Sequence, residues 1–321
     1  MTFDWLTDLQ PLFAAQASWR AGDYQEDSVF YLTYRAESPF AIACGASLLA
    51  EHVRRFRFSP PIIQRLGQVS DAQGRAIFDE SFLNFLQRMH LRLHVGMPPE
   101  GTLLLPGEPL LIARGPMAQA LLLESAFRLL VWKSTDWATQ AALRRWQNQD
   151  WKEEDTPPAP YYDFTPEGWQ TRARFIGGDA LDDIQQNRRP GHEPGENDGL
   201  QPQWRASTGG QAQPFVQIRR LFNGTQPLAD VWLTQEQDRR ASVSKTTCQF
   251  RNTGKNAPET CHFERFQNLY QPILLRGRPV LPTTRKGYLR QRTLHQLEAF
   301  HRADLEVYPR GWFVPTDESV G

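Results

Sequence analysis

Between Met97 and Ser125 the sequence leaves few folding options. Thr102-Leu103-Leu104-Leu105 is apolar and short enough for a strand, Pro106-Gly107 is a turn signal, and Leu110-Leu111-Ile112-Ala113 is a second strand. From Met117 onward the chain is apolar nearly all round, which predicts a buried helix reaching about Trp146. A strand, a turn, a strand and a long buried helix must all be covered by other parts of the chain.

Residues 5 to 145 read as ordered throughout. Pro11 suits a first helical turn, and Leu12, Phe13, Gln16 and Trp19 share a face before Gly22 stops the helix. Val29 to Tyr34 is β-branched and aromatic enough for a strand. Leu48, Leu49, Val53 and Phe56 mark a second helix. Phe82, Phe85, Leu86 and Met89 mark another, with Asp79 near its N-cap. Leu91, Leu93, Val95 and Met97 alternate with Arg92, His94 and Gly96, the pattern of a half-buried strand.

The character changes from residue 150 to 214. This window of 65 residues holds 8 Pro and 8 Gly, and its branched aliphatic side chains are Ile176, Leu181, Ile184 and Leu200 alone. So little apolar area does not offset the entropy of ordering the segment, and an irregular connection is predicted. Order returns at Phe215, with a strand to Phe222, a turn at Asn223-Gly224 and a strand over Leu228–Leu233. Residues 235 to 260 read as a polar loop. A strand pair surrounds Gly277, and a closing helix runs from about Lys286 to His301 with Leu294, Leu297 and Phe300 inward. The expected class is α+β: residues 1–145 and 210–310 joined in one mixed domain, 146–209 between them, and a tail over 311–321.

Formal net charge is zero, with 36 basic and 36 acidic residues, so there is no general attraction to nucleic acid or to an acidic membrane. No apolar run approaches the roughly 20 residues that span a bilayer. Met1 to Asp8 carries no basic cluster of a secretory signal. Cys44, Cys248 and Cys261 form no C-x-x-C unit and read as reduced thiols of a cytoplasmic protein. Cys261-His262 with Cys248 offers three zinc ligands but no fourth at finger spacing, so no metal site is assigned.

Several segments together resemble the nicotinate phosphoribosyltransferase family. They are Thr7-Asp8-Leu9-Gln10, Phe30 to Arg35 followed by Pro39-Phe40, and Ala43-Cys44-Gly45 entering a helix. Arg55 to Phe58, the Glu100-Gly101-Thr102 stretch, Glu124, and Ser134 to Leu143 continue in register. Further matches are Gln213 to Phe222, Gln271 to Arg278 and Ala299-Phe300-His301, with a fainter one at Pro166-Glu167-Gly168 and Thr171-Arg172 to Gly177-Gly178. The resemblance covers about 1–145 and 207–310 and implies a role in NAD biosynthesis by pyridine nucleotide salvage. In the family, nicotinate and phosphoribosyl pyrophosphate give nicotinate mononucleotide, with Mg2+ and ATP in use. The family also carries a central α/β barrel with the phosphorylated histidine and the phosphate loops. A barrel of that kind needs eight apolar parallel strands, which four aliphatic residues do not supply.

The resemblance implies substrate-binding positions at Asp8 and Gln10, the latter standing where the family has a ring-stacking tyrosine, and at Arg172, Gly177 and Gly178. Asp8 reads also as an N-cap before the first helix, and Gly177-Gly178 as a plain turn or as N–H donors to a phosphate. Two basic positions of the family become Gln140 and Leu143. None of the histidines, including His94 on a polar strand face and His192 in a Pro/Gly loop, sits in the family's histidine context, so no catalytic group and no cofactor is assigned. The expectation is a degenerate member without catalysis of its own. The alternatives are a regulatory partner of a full-length homologue, paired as a homodimer or heteromer, and an enzyme using the middle segment, with Arg172 or Arg188, on a new substrate. A small pyridine ligand remains compatible with each.

Overall fold

The computed structural model describes residues 9–34, 38–149, 166–179, 203–207, 215–240, 247–252, 257–280, 286–303, 305 and 308–314. The predicted Asp8, His192 and Arg188 positions lie outside them. Helix α1 (Gln10–Ala21) has Pro11 in its first turn and ends at Gly22, whose φ of 86° is left-handed. Strand β1 (Asp27–Thr33) shows the alternating burial its sequence predicts. Strand β2 (Ala41–Ile42), helices α2 (Ala46–Arg55), α3 (Pro60–Gly67) and α4 (Glu80–Arg88), and strand β3 (His94–Met97) follow. Asp79 does occupy the N-cap position of α4, but its side chain makes no cap bond and pairs instead with Arg20 at 2.8 Å.

The predicted turn at Pro106-Gly107 is present, flanked by β4 (Leu103–Leu104) and β5 (Pro109–Pro116). These strands are not partners. β4 pairs with β2, while β5 lies between β1 and β3, so the stretch from 99 to 109 crosses from one sheet to another. Beyond it the long helix is continuous but not uniform: α5 (Met117–Ala126), a π-helical segment Phe127–Trp132, then α6 (Lys133–Asn148). Gly45 touches that π segment, and a Cβ there would stand 2.1 Å from the carbonyl oxygen of Leu130. Only a glycine lets the two backbones approach so closely.

The segment expected to be irregular carries α7 (Pro166–Ile176) and β6 (Gln203–Ser207). β7 (Phe215–Asn223) and β8 (Gln226–Thr234) form the predicted hairpin. The stretch read as a polar loop instead contains α8 (Gln235–Arg240), β9 (Thr247–Asn252) and the start of β10 (Glu259–His262). Its polar residues mislead because much of this hairpin is half exposed and needs few apolar side chains. β11 (Arg265–Asn268), β12 (Gln271–Leu275), β13 (Arg278–Pro279), α9 (Lys286–His301) and β14 (Arg310–Phe313) complete the order.

The fold is therefore α+β. One six-stranded sheet runs β13-β12-β3-β5-β1-β6 and takes strands from both ends of the chain; a second runs β10-β9-β14-β8-β7-β11. Among the described residues every strand pair is antiparallel except β8 with β14. The main core packs Phe30, Leu32, Val95, Leu111 and Ala113 of the first sheet against Leu123, Phe127 and Val131 of the long helix. No described helix is long and apolar enough to cross a membrane.

Where the two sheets meet, Arg220 on β7 is 1% exposed and pairs through two nitrogens with Asp230 on β8, at 2.8 and 2.7 Å. Its third nitrogen donates to the Leu103 carbonyl at 2.8 Å, and Glu108 lies 3.5 Å away. Burial first, and Asp230 beside it second, push the Glu108 carboxyl well above the usual range despite Arg220. The raised value favours the protonated form of Glu108, which leaves Asp230 as the main counter-charge of Arg220. The raised folded value of Glu108 means its contribution to stability is complete below the unfolded carboxylate range and lost as pH rises toward the folded one. Glu108→Gln should then cost no more than about 1 kcal/mol near neutrality. Asp230→Asn, which strands Arg220, should cost about 3–5 kcal/mol. Urea denaturation of both variants checks this, and equal losses would contradict it.

Candidate functional site

The region the sequence singled out is built on the chain from Pro99 to Pro109. Gly101 N–H donates to Ala43 O at 2.8 Å and Ala43 N–H to Thr102 O at 2.9 Å, which ties the stretch to the Ala-Cys-Gly step before α2. Glu100 is 7% exposed and accepts from the Gly45 N–H at 2.8 Å. Arg172, the interior residue of α7 proposed as a ligand, is 4% exposed and spans Glu100 with both terminal nitrogens, one bond being 2.8 Å. The same guanidinium stands 3.6 Å from the Cys44 sulfur.

Electrostatics make this a locked pair. Burial pushes the Glu100 carboxyl up, but the Arg172 charge, its hydrogen bonds and the N–H groups of Gly45 and Ser47 outweigh burial and hold it below the usual range. Burial raises the Cys44 thiol to about 12 in spite of Arg172, so it is no nucleophile near neutrality.

Gly177 and Gly178 close α7. The N–H groups of Gly177, Gly178 and Asp179 donate to Ala173 O, Phe175 O and Arg174 O at 2.9, 3.1 and 3.1 Å, the pattern of a helix end with a left-handed residue at Gly178 (φ 110°). A Cβ at Gly177 would lie 2.1 Å from Ala138 O, so this glycine permits α7 to meet α6. The Gly178 carbonyl accepts from Arg145 at 2.9 Å and Arg290 at 3.2 Å, while Asp179 accepts from Arg144 and Arg174, each at 2.7 Å. The N–H groups that a phosphate would require are thus used within the helix end itself.

Gln10, at the exposed first position of α1, belongs to a helix that packs with α4 in a separate core from the one holding Ala173 and Ile176 of α7. Arg172, Gly177 and Gly178 are neighbours on one helix; Gln10 is not brought into the same core. Two surface grooves are lined by other residues. One, of about 550 Å3, is walled by Trp19, Tyr24 and Phe85 with Arg88 and Arg92. The other, of about 460 Å3, runs over His94, Arg114, Gln217 and Tyr270. Among the described residues no group of three or more His, Cys, Asp or Glu stands together to hold a metal ion. Sequence reasoning missed the role of Glu100 as partner to Arg172. A lone acid beside an apolar strand was the available signal, but its partner is far away in the chain.

Residues 5–131 match the model of the nicotinate phosphoribosyltransferase N-terminal domain. Nicotinate phosphoribosyltransferase of Caenorhabditis elegans is 29% identical over 150 residues, and that of Homo sapiens 33% over 144 residues. Each match takes in under half of this chain (46% and 44%) and spans 26% of the relative's length. The crystal structure of human nicotinic acid phosphoribosyltransferase superposes with a TM-score of 0.71 at 16% identity, over 98% of each chain. The chain therefore carries a resemblance to the nicotinate phosphoribosyltransferase family, sharpest in its N-terminal part, with a fold similar to the human structure.

Replacing Arg172 by Met should leave Glu100 buried without its partner, at about 3–5 kcal/mol near neutral pH. Because the folded Glu100 carboxyl holds its proton less tightly than the unfolded one, the pair stabilises fully above the ordinary carboxylate range and less as pH falls through the folded value. The gap between wild type and Arg172→Met should shrink on acidification, once Glu100 can take up a proton. Urea titrations at a series of pH values read this; a gap that widens toward acid would contradict it.

Proposed function

We propose that this chain is a nicotinate phosphoribosyltransferase-like protein of NAD salvage that keeps the family's framework and does not transfer phosphoribosyl by itself. In this reading residues 1–145 and 210–310 form that framework, and 146–209 stands in place of the family's barrel. The observation that carries it is the state of Arg172. A guanidinium that grips Glu100 with both terminal nitrogens has little left for a phosphate, and freeing it would strand a buried carboxylate.

Other features point the same way. Phosphoribosyl transfer needs donors for a 5′-phosphate and a pyrophosphate. The N–H groups at Gly177, Gly178 and Asp179 are consumed in closing α7. The family's stacking ring is replaced by Gln10, whose amide offers a pyridine no comparable face. A closed barrel needs eight parallel strands, and the described residues contain a single parallel pair.

The test is a product assay. Pure protein is incubated with nicotinate, phosphoribosyl pyrophosphate, Mg2+ and ATP, and nicotinate mononucleotide is measured by chromatography. The expected result is no product above the buffer control. Product formation that scales with protein concentration refutes the reading.

A further inference from the structure

The second sheet carries a feature separate from everything above. Its edge strand β10 runs antiparallel to β9, and the register sets Cys261 directly opposite Cys248. Both are free thiols, and neither is fully buried. Residues opposite one another in an antiparallel pair point to the same face, with Cα atoms about 4.5 or 5.5 Å apart. A disulfide accepts Cα separations of about 4.4–6.8 Å. The backbone therefore already has a spacing that a bridge accepts, and closure asks for side-chain rotation and a slight pinch. At present each sulfur faces its own strand, Cys248 toward Gln249 O at 3.6 Å and Cys261 toward His262 O at 3.7 Å.

The alternate residues explain why the pair is not a metal site. Thr247 and His262 form the next opposed pair, and His262 Nδ1 lies 3.1 Å from Thr247 Oγ1. Strand alternation puts that pair on the other face of the sheet from the two sulfurs. The third zinc ligand considered from sequence thus points away.

We propose that Cys248 and Cys261 form a reversible disulfide that staples the edge strand β10 to β9, closed by thiol–disulfide exchange with a small-molecule disulfide. One cysteine thiolate attacks a sulfur of the small disulfide and displaces one thiol, leaving a mixed disulfide on the protein. The second cysteine thiolate then attacks the protein-bound sulfur and displaces the other thiol. The protein pair loses two electrons and two protons, and the small disulfide gains both to become two thiols. Burial, and for Cys248 its neighbour Cys261, push these thiols upward, Cys248 to about 12, so exchange should quicken as pH rises. Cys44, buried in a different core beside Arg172, serves as an internal control that stays reduced.

The experiment uses the full chain equilibrated with mixtures of reduced and oxidised glutathione at mildly alkaline pH. The reaction is quenched in acid, free thiols are alkylated, and the protein is digested with trypsin. Cleavage after Lys245, Arg251, Lys255 and Arg265 puts Cys248 in the peptide Thr246–Arg251 and Cys261 in Asn256–Arg265. The expected product is these two peptides joined by a reducible bond, in protein that stays monomeric on a non-reducing gel. In Cys261→Ser, Cys248 should stop at the glutathione adduct. The proposal is overturned if both cysteines remain alkylated across the whole range, if each carries only glutathione, or if the bridge joins separate chains.

Discussion

Several described elements downstream of residue 150 converge on one short stretch, Pro99 to Pro109, in addition to the strand pairs β6–β1 and β12–β3 and the packing of α7 on α6. Arg172 reaches Glu100 from α7, and Arg220 reaches Leu103 O and Glu108 from β7. From α9, Arg292 donates to Glu100 O at 2.9 Å and Gln296 accepts from Leu103 N–H at 2.9 Å. Tyr270 donates to Pro109 O at 2.6 Å, and Arg310 to Pro106 O at 2.6 Å. A stretch that switches sheets satisfies only part of its own backbone, as with Thr102 N–H to Pro99 O and Glu108 N–H to Leu105 O, so its other carbonyls and N–H groups must be met by partners from elsewhere. Here those partners include the Ala43 backbone and later side chains: Arg292 and Gln296 of α9, Arg220 of β7, Arg310 of β14, and Tyr270. Charge-assisted bonds of this kind are among the stronger ones, and buried they tolerate no missing partner.

This arrangement explains what was legible in the sequence. The turn at Pro106-Gly107, α1 with Gly22 at its end, β1 and the closing helix follow local rules of period and capping, and the structure has them where those rules put them. The partnership of β4 was not legible, because a turn between two apolar runs reads as a hairpin whether or not the strands pair. Nor was the hairpin of β9 and β10. Its residues are polar, and its register becomes apparent only once β14 lies along β9. The π segment at Phe127–Trp132 carries no compositional mark, and the backbone of Gly45 lies close against it.

The candidate site shows the same division. Resemblance to the family picked out Arg172, Gly177 and Gly178, and the structure does bring all three to one place. What residue identity does not convey is the direction of each group. An arginine beside a helix end reads as a phosphate ligand until a buried glutamate is found in its grip. Two glycines read as an anion cradle until their N–H groups are traced to carbonyls of their own helix. The proposal of a framework without its own chemistry rests on these directions rather than on the residue types, and no family pattern marks the opposed cysteines of the second sheet.

Native-state hydrogen exchange tests most directly whether the 99–109 stretch binds both halves into one unit. Three informative amides are Gly101, bonded to Ala43 O; Asp230, bonded to Pro309 O; and Leu269, bonded to Ile218 O. If the stretch is the common anchor, their opening free energies should converge on one value as denaturant is raised, because no half opens while the other stays closed. Were Asp230 and Leu269 to exchange through a separate, lower-energy opening that leaves Gly101 protected, the two halves would be independent and the account would fail.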